Sequence, residues 1–295
     1  MSVQNLIVKA LMRLTRYKKR QLKRTFEEKQ AENLPKPPAK IADKIEWEMV
    51  AVDGAKAVWL SKENSANGVL VYLHGGSYNA GAFKEQWQYL AEMSERTKMA
   101  ALLIDYRLAP QNPFPAGLDD VLVILETLSA IGDLPEKWFL LGDSAGAGLA
   151  AAAFYEVRAA EISLPKKLIL MSGWFDLTSE TPEIQQNPNV DPMLSYERML
   201  ESAKVYVGTE DARNPLISPL FGDVAGFPPT LMQCGTADLL VWENRKFYQK
   251  CLDAGVAAKY EEYPNLFHDF MMVAFLPEAR KARQSQIEFL LSSNF

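Results

Sequence analysis

Short runs in which nearly every residue is apolar alternate along this chain with longer runs whose apolar residues recur every three or four positions. Residues 68–73, 99–104, 138–141, 167–171 and 230–234 are apolar runs of the first kind, the pattern of strands buried on both faces. Residues 45–52 and 55–60 read as two strands around the turn Asp53-Gly54, and 257–263 as a last strand. Helical spacing predicts helices over 85–97, 117–130, 195–207, 241–254 and 277–291, with a further small-residue helix after Ser144. Strands and helices taking turns imply an α/β fold, a mostly parallel sheet with helices on both faces.

Two stretches depart from this rhythm. Residues 172–227 are rich in Pro and Asn and too long for an ordinary connection, which makes them an inserted cap or lid. At the other end, residues 3–26 predict one helix, with Ile7, Leu11, Leu14, Leu22 and Phe26 on one face and Lys9, Arg13, Arg16, Arg20 and Lys23 on the other. Such a helix can lie on an anionic membrane. The reading adopted is the plainer one, an apolar stripe packed on the protein's own body with the basic face in water, and no membrane association. Pro35, Pro37 and Pro38 make 31–40 a connector. The division expected is an N-terminal segment, 1–40, and a main domain, 41–295, carrying the insertion.

The chain has 295 residues, 48% of them hydrophobic and 23% charged, enough for one large domain with a sizeable core. Its net charge of −5 excludes a general pull toward nucleic acid. The charge is uneven: residues 1–40 hold eleven Lys/Arg against three Glu, and the remainder is correspondingly acidic. Cys234 and Cys251 make neither a disulfide framework nor a metal site and read as small buried residues. There is no run of 18 apolar residues and no clean secretory leader, so a cytoplasmic protein is expected.

The chemistry centres on residues 140–159. Gly142-Asp143-Ser144-Ala145-Gly146 is a G-x-S-x-G between an apolar strand and a helix, the context in which the serine stands exposed on a sharp turn as a nucleophile. A hydroxyl nucleophile needs a base, and the base an orienting acid. Of only two histidines, His74 and His268, only His268 follows Ser144, as the chain order of such folds requires. Asp238, just past the strand 230–234, is the acid, with Asp176 as its rival. Asp269 adjoins His268 but points elsewhere on a regular backbone. His74-Gly75-Gly76-Ser77 supplies a turn after a strand, where the N–H of Gly76 and that of Gly75 or Ser77 can join the N–H of Ala145 around an oxyanion.

With these pieces in place, the chain resembles the hormone-sensitive-lipase-type family of α/β-hydrolase esterases. The resemblance rests on HGGSY at 74–78, DYRLAP at 105–110, GDSAGAG at 142–148, DPML at 191–194, SPL at 218–220, PPTLMQCGTADLL at 228–240, and His268. It implies an eight-stranded sheet, a cap built from the N-terminal segment and the insertion after strand six, Asp238 as the acid, no cofactor and no metal. It also implies a small acyl ester as the partner molecule, and a homodimer. Ser77 replaces the family's usual third glycine, acceptable if its φ stays negative. Ala147 replaces a glycine, and Trp242 stands near a position where the family has a further acid, ahead of Glu243.

The activity implied is that of a serine carboxylesterase on short- to medium-chain acyl esters. An amidase or deacetylase would use the same triad. A non-catalytic binding homologue would be expected to lack the serine or the histidine, and both are present.

Overall fold

In the computed structural model, which describes residues 2–160 and 162–293, the apolar runs become one sheet. Its strands are β1 (Trp47–Val52), β2 (Ala55–Leu60), β3 (Val69–Leu73), β4 (Ala100–Ile104), β5 (Trp138–Asp143), β6 (Leu168–Met171), β7 (Thr230–Gly235) and β8 (Ala258–Tyr263). The spatial order is β1-β2-β4-β3-β5-β6-β7-β8. β1 and β2 pair antiparallel, as does β2 with β4, and the pairs from β4 to β8 are parallel. Asp53 and Gly54 both have positive φ, the geometry of a tight two-residue hairpin turn.

The helices are α1 (Val3–Leu14), α2 (Tyr17–Leu22), α3 (Phe26–Gln30), α4 (Ala39–Ala42), α5 (Lys84–Thr97), α6 (Ala116–Ala130), α7 (Ala145–Val157), α8 (Pro182–Gln186), α9 (Tyr196–Val207), α10 (Val241–Asp253) and α11 (Pro277–Leu291). Strand alternation divides the core. Val69, Val71 and Leu73 of β3 face one apolar cluster with residues of α6, α7 and α10. Leu70 and Tyr72 face the other, with residues of α5 and α11. Every side chain of β3, β4 and β5 is buried, which is why these strands are almost uniformly apolar.

β3 lies between β4 and β5, so the connections leaving β3 and β5 diverge at one edge of the sheet. Register puts Leu73 opposite Gly142, which sets the loop after β3 beside the turn after β5. Such a divergence at the carboxyl ends of parallel strands leaves a crevice open to ligands.

The single helix expected over 3–26 is broken into α1 and α2, with α3 starting at its last position. Thr15 donates both its N–H and its hydroxyl to the Leu11 carbonyl, and Arg16 follows in the left-handed region (φ 51°), ending α1. Thr25 and Glu28 form a capping box that starts α3 afresh. The expected packing of α1 is also overturned. Asn5 and Lys9 are its buried residues, while Val3, Leu6, Ile7, Leu11 and Leu14 are exposed. The reason lies at the loop after β8. The Asn265 carbonyl accepts from Asn5 Nδ2 (3.1 Å) and Lys9 Nζ (3.0 Å), and these polar contacts select the face that docks.

The connector 31–40 is held against the loop after β3 and against α5. Leu34 N–H donates to the Ala82 carbonyl, and the Trp87 indole donates to the Leu34 carbonyl, both at 2.8 Å. Among the described residues, no helix is long and apolar enough to cross a membrane.

Candidate active site

β5 ends at Asp143 and α7 begins at Ala145, leaving Ser144 alone at the turn with φ 51° and ψ −120°. A non-glycine residue in such a conformation persists only when its surroundings hold it. Here Ser144 N–H donates to the Met171 carbonyl (2.8 Å), and its own carbonyl accepts from Trp174 N–H (3.0 Å) and Ala147 N–H (3.1 Å). Close approach explains Gly146: a Cβ there would sit 2.0 Å from the Leu73 carbonyl oxygen. The elbow is therefore pressed directly onto the end of β3.

Ser144, His268 and Asp238 come together, although 124 and 30 positions separate the hydrogen-bonded pairs. His268 Nε2 lies 2.8 Å from Ser144 Oγ. Its Nδ1 lies 3.0 and 3.1 Å from the two carboxylate oxygens of Asp238. With Nδ1–H donating to Asp238, neutral His268 leaves Nε2 free to accept the serine proton. Asp238 is fully buried and also accepts from Leu240 N–H (2.9 Å) and from the Cys234 thiol (3.4 Å). Cys234 is buried as expected, but it is a hydrogen-bond donor to the acid rather than merely a small apolar filler. Cys251 is buried and free.

The rival acid, Asp176, accepts from Thr178 N–H and Thr178 Oγ, and makes no contact with His268 among the described residues. His74, the other histidine, is fully buried and stacks on Tyr106. Burial lowers its pKa to about 4, so it stays neutral, with Nδ1 turned to the Gly75 carbonyl.

The loop after β3 corrects two expectations. Gly75 N–H is occupied: it donates to Asp143 Oδ1 at 2.8 Å, so Gly75 leaves the set of candidate oxyanion donors. The N–H groups of Gly76, Ser77 and Ala145 have no acceptor among the described residues, and Gly76 and Ser77 line the cavity above Ser144. Ser77 has φ 56°, not the negative value supposed for a residue replacing glycine. Gly76 has φ 132°, and a Cβ there would fall 1.9 Å from the Ala80 carbonyl oxygen, so the position admits no side chain.

A third correction concerns Asp269. Its φ of 50° is left-handed, and this turns the carboxylate back toward His268, with Oδ2 3.1 Å from Nε2. Its other oxygen is buried without a partner among the described residues. Burial alone would keep His268 uncharged, but the adjoining Asp269 and Asp238 outweigh it and raise the imidazole pKa well above its ordinary value.

Sequence reasoning missed the roles of three buried acids. Asp143 accepts from Tyr72 hydroxyl (2.5 Å), Gly75 N–H (2.8 Å) and Gln86 Nε2 (2.8 Å), tying the elbow to the loop after β3. Burial, with Asp269 adding to it, raises the Asp143 pKa to about 7. Asp191 accepts from the backbone N–H of Met193 (2.7 Å), His268 (3.1 Å) and Leu239 (3.3 Å), so one carboxylate joins its own stretch to the loops that carry Asp238 and His268. Its pKa is raised to about 6, by burial first and then by Asp238. Glu243 is buried and accepts from Phe175 and Asp176 N–H, so an acid does stand close after Asp238, one place beyond exposed Trp242. The signals were present in GDSAG and DPML, each of which places an acid beside the motif's other residues.

Above Ser144 lies a cavity of about 410 Å³. Met12, Tyr17 and Leu22 line it from the N-terminal segment, Met193, Leu194 and Met199 from the insertion, and Phe267, Met272 and Val273 from the stretch between β8 and α11. Arg24, Lys29 and Arg198 add cations and Glu32 and Glu85 anions. Among the described residues no cluster of His, Cys, Asp and Glu could hold a metal ion.

A serine on a strand-to-helix elbow, beside a histidine and a buried acid at the carboxyl edge of a mostly parallel eight-stranded sheet, defines an α/β hydrolase. Known proteins agree. The alpha/beta hydrolase fold family matches residues 70–272. An acetyl-hydrolase of Streptomyces hygroscopicus is 34% identical over 244 residues, covering 82% of this chain and 82% of the relative. An esterase of Acinetobacter venetianus is 31% identical over 246 residues, covering 82% and 81%. A solved esterase from the bacterial hormone-sensitive lipase family superposes with a TM-score of 0.86 at 29% identity, over 98% of both chains. The chain belongs to the alpha/beta hydrolase family, on its hormone-sensitive-lipase side, and is a hydrolase.

Proposed function

We propose that the protein is a serine carboxylesterase that cleaves short- to medium-chain acyl esters through an acyl-enzyme on Ser144. The observation that carries this reading is the chain of contacts Ser144 Oγ to His268 Nε2 (2.8 Å) and His268 Nδ1 to Asp238 (3.0 Å) at the floor of a largely apolar cavity. His268 takes the serine proton as Oγ attacks the acyl carbon. The carbonyl oxygen becomes an oxyanion facing the N–H groups of Gly76, Ser77 and Ala145. As the tetrahedral intermediate collapses, the C–O bond to the alcohol breaks and His268 returns the proton to the departing oxygen. Water then attacks the acyl-enzyme with His268 again as base, releasing the acid and restoring Ser144.

Residues 1–40 and 172–227 are proposed to form a cap, supported by the cavity walls that each contributes. Relatives named esterase and acetyl-hydrolase support an ester substrate with a small acyl group. The test is a panel of p-nitrophenyl esters from acetate to dodecanoate, run beside acetylated sugars and N-formyl amides. Turnover should be greatest on the shorter esters, and His268→Ala should lower kcat by about 10³-fold or more. Higher turnover on the amides, or full activity in His268→Ala, would refute the reading.

A further inference from the structure

α1 carries its apolar residues on the wrong side for a helix docked on its own protein. Val3, Leu6, Ile7, Leu11 and Leu14 are exposed, Leu14 by 79% and Val3 by 68%, whereas Asn5 and Lys9 are 0% and 5% exposed. At 100° per residue the five exposed residues fall on one continuous face, opposite Asn5, Val8, Lys9 and Met12. Five of the fifteen exposed large hydrophobic residues of the described chain lie on this one helix of 12 residues. Isolated exposed apolar side chains are ordinary, but a continuous stripe is a surface for contact.

The charge around the stripe identifies what it meets. Arg13, Arg16, Lys19, Arg20 and Lys23, at the end of the stripe and just after it, are all exposed. Residues 1–40 carry eleven Lys/Arg against three Glu, on a chain whose net charge is −5. In a symmetric contact, a second copy of this chain would set the same cations against these and repel them. An anionic lipid surface offers hydrocarbon to the stripe and negative charge to the flanking cations at once. The helix is also fixed where docking would be useful. Ser2 donates to Glu278, Asn5 and Lys9 are tied to Asn265, and Met12, on the inward face, lines the cavity over Ser144.

We propose that α1 is an interfacial anchor that seats this protein on anionic membrane surfaces, with the cavity mouth held close to the lipid. The inference concerns a face outside the cavity and stands whether or not the proposed ester hydrolysis holds.

The full chain would be sedimented with phosphatidylcholine vesicles, with and without phosphatidylglycerol. The wild type should sediment only with the phosphatidylglycerol-containing vesicles, and less so as salt is raised. The Ile7→Asp/Leu11→Asp variant should lose binding by about tenfold or more, with an unchanged melting curve and unchanged turnover of water-soluble p-nitrophenyl acetate. Neither residue lines the cavity, so loss of vesicle binding would not reflect a damaged site. No sedimentation of the wild type, or equal sedimentation of both proteins, would overturn the proposal. So would a wild-type dimer in light scattering that the double variant dissociates, which would show that the stripe belongs to a second copy.

Discussion

Asp238 and Asp269 meet opposite nitrogens of His268, and the two carboxylates have different consequences. Asp238 accepts the Nδ1 proton and fixes the tautomer in which Nε2 can accept from Ser144. Asp269 shares the Nε2 side with Ser144 and favours the protonated ring. On the proposed mechanism only neutral His268 can act as base, so activity falls as the pH drops through its raised pKa. Asp269→Asn removes one of the charges that stabilise the imidazolium. His268 then gives up its proton at lower pH, and the acid limb of kcat/KM should move down by about one pH unit, with a smaller change in the plateau. A limb that stays in place would show that Asp269 does not influence the base. None of this could be read from the sequence. An acid directly after the histidine points away on regular backbone, and it is the left-handed turn at Asp269 that brings it back.

Arg198 of α9 shows how the elements around the cavity hold one another. Its guanidinium donates to the Leu22 carbonyl (2.7 Å), the Arg24 carbonyl (2.5 Å) and the Gln21 carbonyl (3.3 Å), and lies over the Phe26 ring. These carbonyls belong to the end of α2 and the turn after it, where helical partners run out. Arg198→Ala should loosen the N-terminal segment by about 1–3 kcal/mol. The expected readout is faster amide hydrogen exchange over residues 17–30, with the central strands β3 to β6 unchanged. Exchange unaltered in that stretch would mean that these segments are held by packing alone. At this scale the sequence was most informative where burial is complete: β3, β4, β5, β6 and β7 fell where apolar runs placed them, because a strand covered on both faces has few polar positions to confuse the pattern. The N-terminal helix was misread for the opposite reason. Periodicity marked its apolar stripe, but which side docks was decided by the Asn265 carbonyl, a partner more than 250 residues away.

Across the whole molecule, the sheet brings its chemistry to one edge. Ser144 follows β5, Asp238 follows β7 and His268 follows β8, while Gly76 and Ser77 follow β3. The meeting of Ser144, His268 and Asp238 was legible because chain order and the scarcity of histidine leave few alternatives. The buried acids Asp143 and Asp191 were not, because carboxylates are common and only the folded chain shows which ones bridge loops. The charge distribution also belongs to this scale, with a basic N-terminal segment over an otherwise acidic chain. The proposed mechanism turns on a covalent bond at a single atom, Ser144 Oγ. A fluorophosphonate should add one equivalent to the intact protein, and peptide mass spectrometry should place the adduct on Ser144. Labelling should vanish in Ser144→Ala, which should keep the wild-type melting temperature. An adduct on another serine, or undiminished labelling of the Ser144→Ala protein, would contradict the proposed mechanism.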